Sequence, residues 1–182
     1  MDDELLVVCK EALALTPSVR SAALERLESL AREKKMDGRA VACLIPLLHA
    51  PEPEERRKAS WIMGKLAQNK EEACWPLEAL NNALHDDDAE VRENAAWAFG
   101  ELAGMRIGAV GTLERLNLLL GDRDAKVRGM AAWALGRMAE KIGLGFSSSV
   151  EPLAALREDR SVLVRESAAF ALERLRGIGI TE

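Results

Sequence analysis

Two histidines, three cysteines and a spaced series of aromatic residues are the side chains in this chain best suited to chemistry or recognition. His49 and His85 are the only histidines, and they stand 36 residues apart. Cys9, Cys43 and Cys74 are odd in number and widely spaced, with no Cys-x-x-Cys pair. They read as core thiols of a cytosolic protein rather than as a disulfide or zinc framework. No Gly-x-Ser-x-Gly elbow occurs, and Gly143-Leu-Gly145 is too short for a dinucleotide loop. The expectation is therefore no catalytic group, no metal centre and no cofactor. Trp61, Trp97, Trp133 and Phe170 are the remaining candidates, separated by 36, 36 and 37 residues.

That interval governs the whole chain. The segment Val91-Arg92-Glu-Asn-Ala95-Ala96-Trp97-Ala98-Phe99-Gly100 returns at Val127–Gly136 and, without the glycine, at Val164–Glu173. A fourth copy surrounds Trp61, and a divergent one begins at Val19-Arg20 with Glu25 in the aromatic column. Arg56, Arg92, Arg128 and Arg165 form a second column, and Gly64, Gly100 and Gly136 a third. Self-similarity at this period marks stacked two-helix units, each unable to bury its apolar face alone. Five units are expected, over 1–35, 36–69, 70–105, 106–143 and 144–182, within a single domain spanning 1–182.

Each unit pairs a first helix (3–15, 38–49, 70–85, 107–120 and 149–158) with the second helix that carries the columns. Pro17, Pro53 and the Asp clusters at 86–88 and 122–124 lie where second helices begin, as N-terminal and capping residues should. Gly104, Gly108, Gly111 and Gly143 are expected to stop them. Val91, Ala95, Ala98, Phe99 and Leu102 share one helical face and read as core, like Val127, Ala131, Ala134, Leu135 and Met138. Glycine inside a helix costs roughly 1 kcal/mol, so its recurrence predicts close approach of a neighbouring helix. Glu173 stands in that column in the last unit and reads as a polar end face.

The pattern Asp-x-x-x-x-Val-Arg-x-x-Ala-Ala-x-Ala-Leu-Gly-x-Leu resembles HEAT repeats, above all the phycobilisome-lyase HEAT-like class. The resemblance implies an all-α, right-handed α–α superhelix, armadillo-like in outline. It also implies an Asp–Arg ladder along the stack, with Asp86, Asp122 and Asp159 six residues before Arg92, Arg128 and Arg165. Unit two lacks the leading Asp and has Glu55 where Val is expected. The paired His-Glu motifs of the HEAT-repeat hydroxylase that binds metal are absent.

A net charge of -5 and a pI near 5.3 argue against a general nucleic-acid partner, which normally meets a strong basic excess. No apolar run approaches the ~18 residues of a membrane span. The aromatic column lies almost opposite the core stripe, which places it on the concave side. The expected partner-binding groove comprises Arg57, Lys58, Trp61 and Lys65 in unit two, then Glu93, Asn94, Trp97 and Glu101 in unit three. Met130, Trp133 and Arg137 continue it, followed by Glu166, Phe170 and Arg174. Trp, Arg and Met are enriched at interfaces, so the expected function is a non-catalytic scaffold or adaptor that binds a protein or peptide. The alternative implied by the resemblance is an accessory subunit of a bilin lyase, with a tetrapyrrole in the same groove.

Overall fold

The computed structural model describes residues 2–181, which form ten α-helices, three short 310 turns and no strand. The helices come in pairs: α1 (Asp2–Glu11) with α2 (Pro17–Arg32), α3 (Val41–Leu47) with α4 (Pro53–Gln68), and α5 (Leu77–Ala83) with α6 (Ala89–Gly104). α7 (Val110–Leu119) with α8 (Ala125–Ile142) and α9 (Val150–Ala155) with α10 (Val162–Gly177) follow. The even-numbered helices lie side by side, α4 on α6, α6 on α8 and α8 on α10, with the shorter odd-numbered helices packed behind them. This is the α–α superhelix that the columns imply.

The core between the layers is the stripe read from the sequence. Val91, Ala95, Ala98, Phe99 and Leu102 are buried, as are Val127, Ala131, Ala134, Leu135 and Met138, against Leu80, Leu84, Leu113 and Leu116 from the odd-numbered helices. Helix starts also follow sequence logic. Pro17 and Pro53 occupy the first helical positions. Asp88 accepts from the backbone N–H groups of Glu90 and Val91, and Asp124 accepts from that of Lys126. The expected helix over 70–85 shrinks to Leu77–Ala83, because Pro76 biases the residue before it away from helical geometry. The preceding turn uses buried Trp75 to fill core space instead.

Helix ends depart from the glycine rule. The left-handed residue that closes α2, α4 and α6 is Lys34 (φ 55°), Lys70 (φ 61°) and Arg106 (φ 62°), while Gly143 and Gly179 take that role after α8 and α10. Gly104 is simply the last residue of α6. At each site the next N–H reaches back to close the turn, as from Ile107 to the Leu102 carbonyl at 3.0 Å.

Two contacts repeat at the seams between units. In the first, one arginine per unit donates Nη1 to two successive carbonyls of its own interhelical turn; Arg92 binds those of Asp86 (2.7 Å) and Asp87 (3.1 Å). Its other edge grips the next unit's carboxylate, Arg92 to Asp122 at 2.8 and 2.9 Å, with both side chains only 8% exposed. Arg56 holds Asp86 and Arg128 holds Asp159 in the same way. The spacing of six thus links Asp and Arg through the aspartate's carbonyl, whereas the carboxylate serves the preceding unit. Unit two has no aspartate at this point, and Glu55 supplies the carboxylate to Arg20 at 3.0 Å. Asp122 further accepts from the Asp124 N–H, and these donors together hold its carboxyl below the usual range against the opposing effect of burial.

The second contact explains the glycine column. A Cβ on Gly64 would stand 2.3 Å from the Trp97 ring, one on Gly100 2.0 Å from Trp133, and one on Gly136 2.6 Å from Phe170. Each ring therefore wedges into a notch that only glycine leaves open. At the first seam Glu28 replaces the glycine and pairs with Arg32, whose guanidinium lies 4.5 Å over Trp61. At the far end, Glu166, Ala169, Glu173 and Arg176 are exposed, where α8 has buried Gly129, Ala132, Gly136 and Ala139.

Two outcomes follow for urea unfolding. Arg92→Ala leaves Asp122 buried without its partner and is expected to cost about 3 kcal/mol; a loss below ~1 kcal/mol contradicts this account of the seam. Gly100→Ala is expected to cost roughly 1–2 kcal/mol despite its gain in helix propensity. In a Trp133→Ala background the same substitution should become neutral or stabilising, because the ring it strikes is gone.

Candidate binding groove

Side-by-side packing of the even-numbered helices sets out a row of recesses along their open face. Each even-numbered helix from α4 onward contributes the residue three before its aromatic, so Lys58, Asn94, Met130 and Ser167 form one column along the recesses. The character of the recesses changes from unit to unit because this column does.

One of them is a charged cleft of about 570 Å³ between α4, α6 and the start of α8. Arg57, Trp61, Asp88, Glu90, Glu93, Asn94, Asp124 and Lys126 line it. Four carboxylates thus face two cations, and Arg57 is already engaged by Asp88 at 2.5 and 2.9 Å. That pairing draws the Asp88 carboxyl below its ordinary range. Glu93 behaves oppositely: burial pushes its carboxyl up, and Asp124 and Glu90 add to the effect against the pull of Lys126. Asn94 forms the floor, 7% exposed, its amide donating to the Arg57 carbonyl and to Ser60 Oγ at 3.3 Å each.

Next along the groove is an apolar recess of about 240 Å³, lined by Trp97, Gly129, Met130, Trp133, Leu163 and Ser167. Its walls are the outward parts of the rings wedged into the glycine notches. Leu163 is 48% exposed, and the small Gly129 beneath it lets it lean across the seam.

Four of the other expected groove residues serve their own rings. Glu101 accepts from Trp97 Nε1 at 3.2 Å. Arg137 lies 5.5 Å over Trp133 and donates to the Gly100 carbonyl, and Arg174 lies 5.1 Å over Phe170. Lys65 sits 5.9 Å over Trp61 and bonds Gln68. Lys58 turns toward unit one, within reach of Glu54 and Glu25. Glu166 is exposed on the end face of α10. Sequence reasoning missed Asp88, Asp124 and Leu163. The aspartates read only as helix caps, yet a cap at the start of α6 or α8 also edges the cleft.

Outside the groove, His49 and His85 are exposed near the ends of α3 and α5, and no group of three His, Cys, Asp or Glu among the described residues is placed to hold a metal ion. Cys9 and Cys43 are buried as expected, but Cys74 is exposed, because it falls on the non-helical stretch before Pro76. Among the described residues no helix is long and apolar enough to cross a membrane.

Comparison with known proteins agrees with this architecture. The chain is similar to a designed armadillo repeat protein in complex with the peptide (KR)4, at 20% identity and a TM-score of 0.74, over 97% of this chain and 88% of that one. A computationally designed armadillo repeat protein for modular peptide recognition matches at 21% identity and a TM-score of 0.75, over 94% and 82%. The complex of CpcE and CpcF of phycocyanin lyase from Nostoc sp. matches at 20% identity and a TM-score of 0.72, over 95% of this chain and 65% of that one. No curated protein matches the sequence. The sequence profile of HEAT repeats matches residues 41–116 and 77–173. With its seam contacts, its glycine notches and this match over most of its length, the chain belongs to the HEAT-repeat family.

Proposed function

We propose that the protein is a non-catalytic scaffold whose concave face binds an extended segment of another protein. The segment presents a Lys or Arg side chain to the charged cleft and an apolar side chain to the adjoining recess. The observation that carries this reading is the adjacency of the two recesses on one rigid frame. A cleft with four carboxylates and two cations favours a cation, and the neighbouring walls of Trp97, Met130, Trp133 and Leu163 favour an apolar group. Helices already locked by the seam contacts lose little freedom on binding, which lowers the entropic cost of association. Similarity to designed armadillo proteins, one of them bound to (KR)4, supports a peptide partner of this kind.

The likeness to the CpcE–CpcF complex supports a second reading, an accessory subunit of a chromophore lyase. Absorbance during titration with a linear tetrapyrrole separates the two, and a flat response removes the second.

Glu93 provides the sharper test of the first. Peptides alternating Lys or Arg with apolar residues should bind by fluorescence anisotropy, and Glu93→Gln should weaken them by about tenfold, or ~1.4 kcal/mol. Because burial raises the Glu93 carboxyl, its charge is lost at a higher pH than that of an ordinary glutamate. Affinity for the wild-type protein should therefore fall as pH is lowered through that value, and the Glu93→Gln variant should lack this step. Equal affinities of the two folded proteins at neutral pH contradict the assignment.

A further inference from the structure

Cys9 on α1 and Cys43 on α3 are 34 positions apart in sequence, yet their sulfurs lie 2.7 Å from each other in the core. Both residues are 7% exposed. Cys43 Sγ is the donor to Cys9 Sγ, and it also sits 3.1 Å from the Ala40 carbonyl. Cys74, the third cysteine, is exposed and belongs to a different turn. α1 packs against α2 and the turn before α3, with no helix on its far side among the described residues. Leu6 and Val7 are exposed on that far side. An outer helix held from one side is the first part of a solenoid to open.

We propose that Cys9 and Cys43 form a reversible disulfide that ties α1 to the second unit. The oxidant class is a small disulfide such as oxidised glutathione, reaching the pair when α1 opens. The hydrogen bond from Cys43 lowers the Cys9 thiol and raises that of Cys43, which makes Cys9 the first nucleophile. Its thiolate attacks one sulfur of the reagent, giving a mixed disulfide and one glutathione thiolate. Cys43, deprotonated in its turn, attacks the Cys9 sulfur, forms the Cys9–Cys43 bond and expels the second glutathione thiolate. Two protein thiols are oxidised, one glutathione disulfide is reduced to two thiols, and the two protons released from the protein end on them. Reduced glutathione or a dithiol reverses the sequence. The cross-link closes a loop of more than thirty residues, which restricts the opened state more than the closed one. The groove is built from other helices, so this switch acts independently of the proposed binding.

The test uses the full chain carrying Cys74→Ser, a change at an exposed site, with folding verified by circular dichroism. The folded protein is equilibrated in oxidised glutathione, quenched in acid, denatured and labelled with a maleimide. The expected intact mass shows no label and a loss of two hydrogens, with both labels restored by dithiothreitol. In hydrogen exchange, the α1 amides of the oxidised protein should be protected about tenfold more than those of the reduced protein. Two labelled thiols after oxidation, two separate glutathione adducts, or a covalent dimer in place of the internal bond would overturn the proposal.

Discussion

One guanidinium at each seam holds this solenoid in register. It is neutralised and directed on two sides at once: by two carbonyls of its own turn and by a carboxylate of the next unit, as at Arg92, Asp86, Asp87 and Asp122. A buried charge is costly without partners, and a unit displaced along the stack would leave both the arginine and the aspartate unsatisfied. The seam is therefore a registration device as much as an attraction. Its persistence at the divergent first junction makes the point, since there Arg20 takes Glu55 from a different helical position when no aspartate is available. At the other end Arg165 keeps its two turn carbonyls, and among the described residues no carboxylate completes the set.

Register in turn decides what the open face can offer. With adjacent helices fixed, the ring of one unit falls on the glycine of the one before, as Trp133 does on Gly100. The helical cost of that glycine is offset by a ring packed on one side and half-open on the other. The apolar recess is the exposed remainder of this packing, so stacking and the proposed recognition draw on the same side chains. The charged cleft arises in a similar way, because the caps Asp88 and Asp124 must sit where α6 and α8 begin and those starts border Glu93.

The sequence displayed whatever recurs at a fixed interval. The arginine, glycine and aromatic columns announced the two-helix unit, and the glycine column correctly implied a close neighbour. What it hid lies between units or breaks the period. The partner of Arg92 stands 30 positions ahead rather than six behind, a choice between two aspartates that spacing alone does not make. Lys34, Lys70 and Arg106 adopt a left-handed conformation usually given to glycine, so their residue types carry no stop signal. The contact between Cys9 and Cys43 depends on how α1 and α3 pack, which no motif encodes. Asp88 and Leu163 enter the groove only because neighbouring even-numbered helices pack side by side.

The central claim is that the concave recesses, rather than the core or the opposite layer, receive the partner. The four indole N–H signals of Trp61, Trp75, Trp97 and Trp133 report on it directly in a nitrogen–proton correlation spectrum. Trp61, Trp97 and Trp133 line the groove, while Trp75 is buried before α5 and lines neither recess. On titration with a basic–apolar peptide, the three groove signals should shift in a saturable manner and that of Trp75 should stay in place. Saturable binding that leaves the three unmoved, or moves Trp75 as far as the others, contradicts the account.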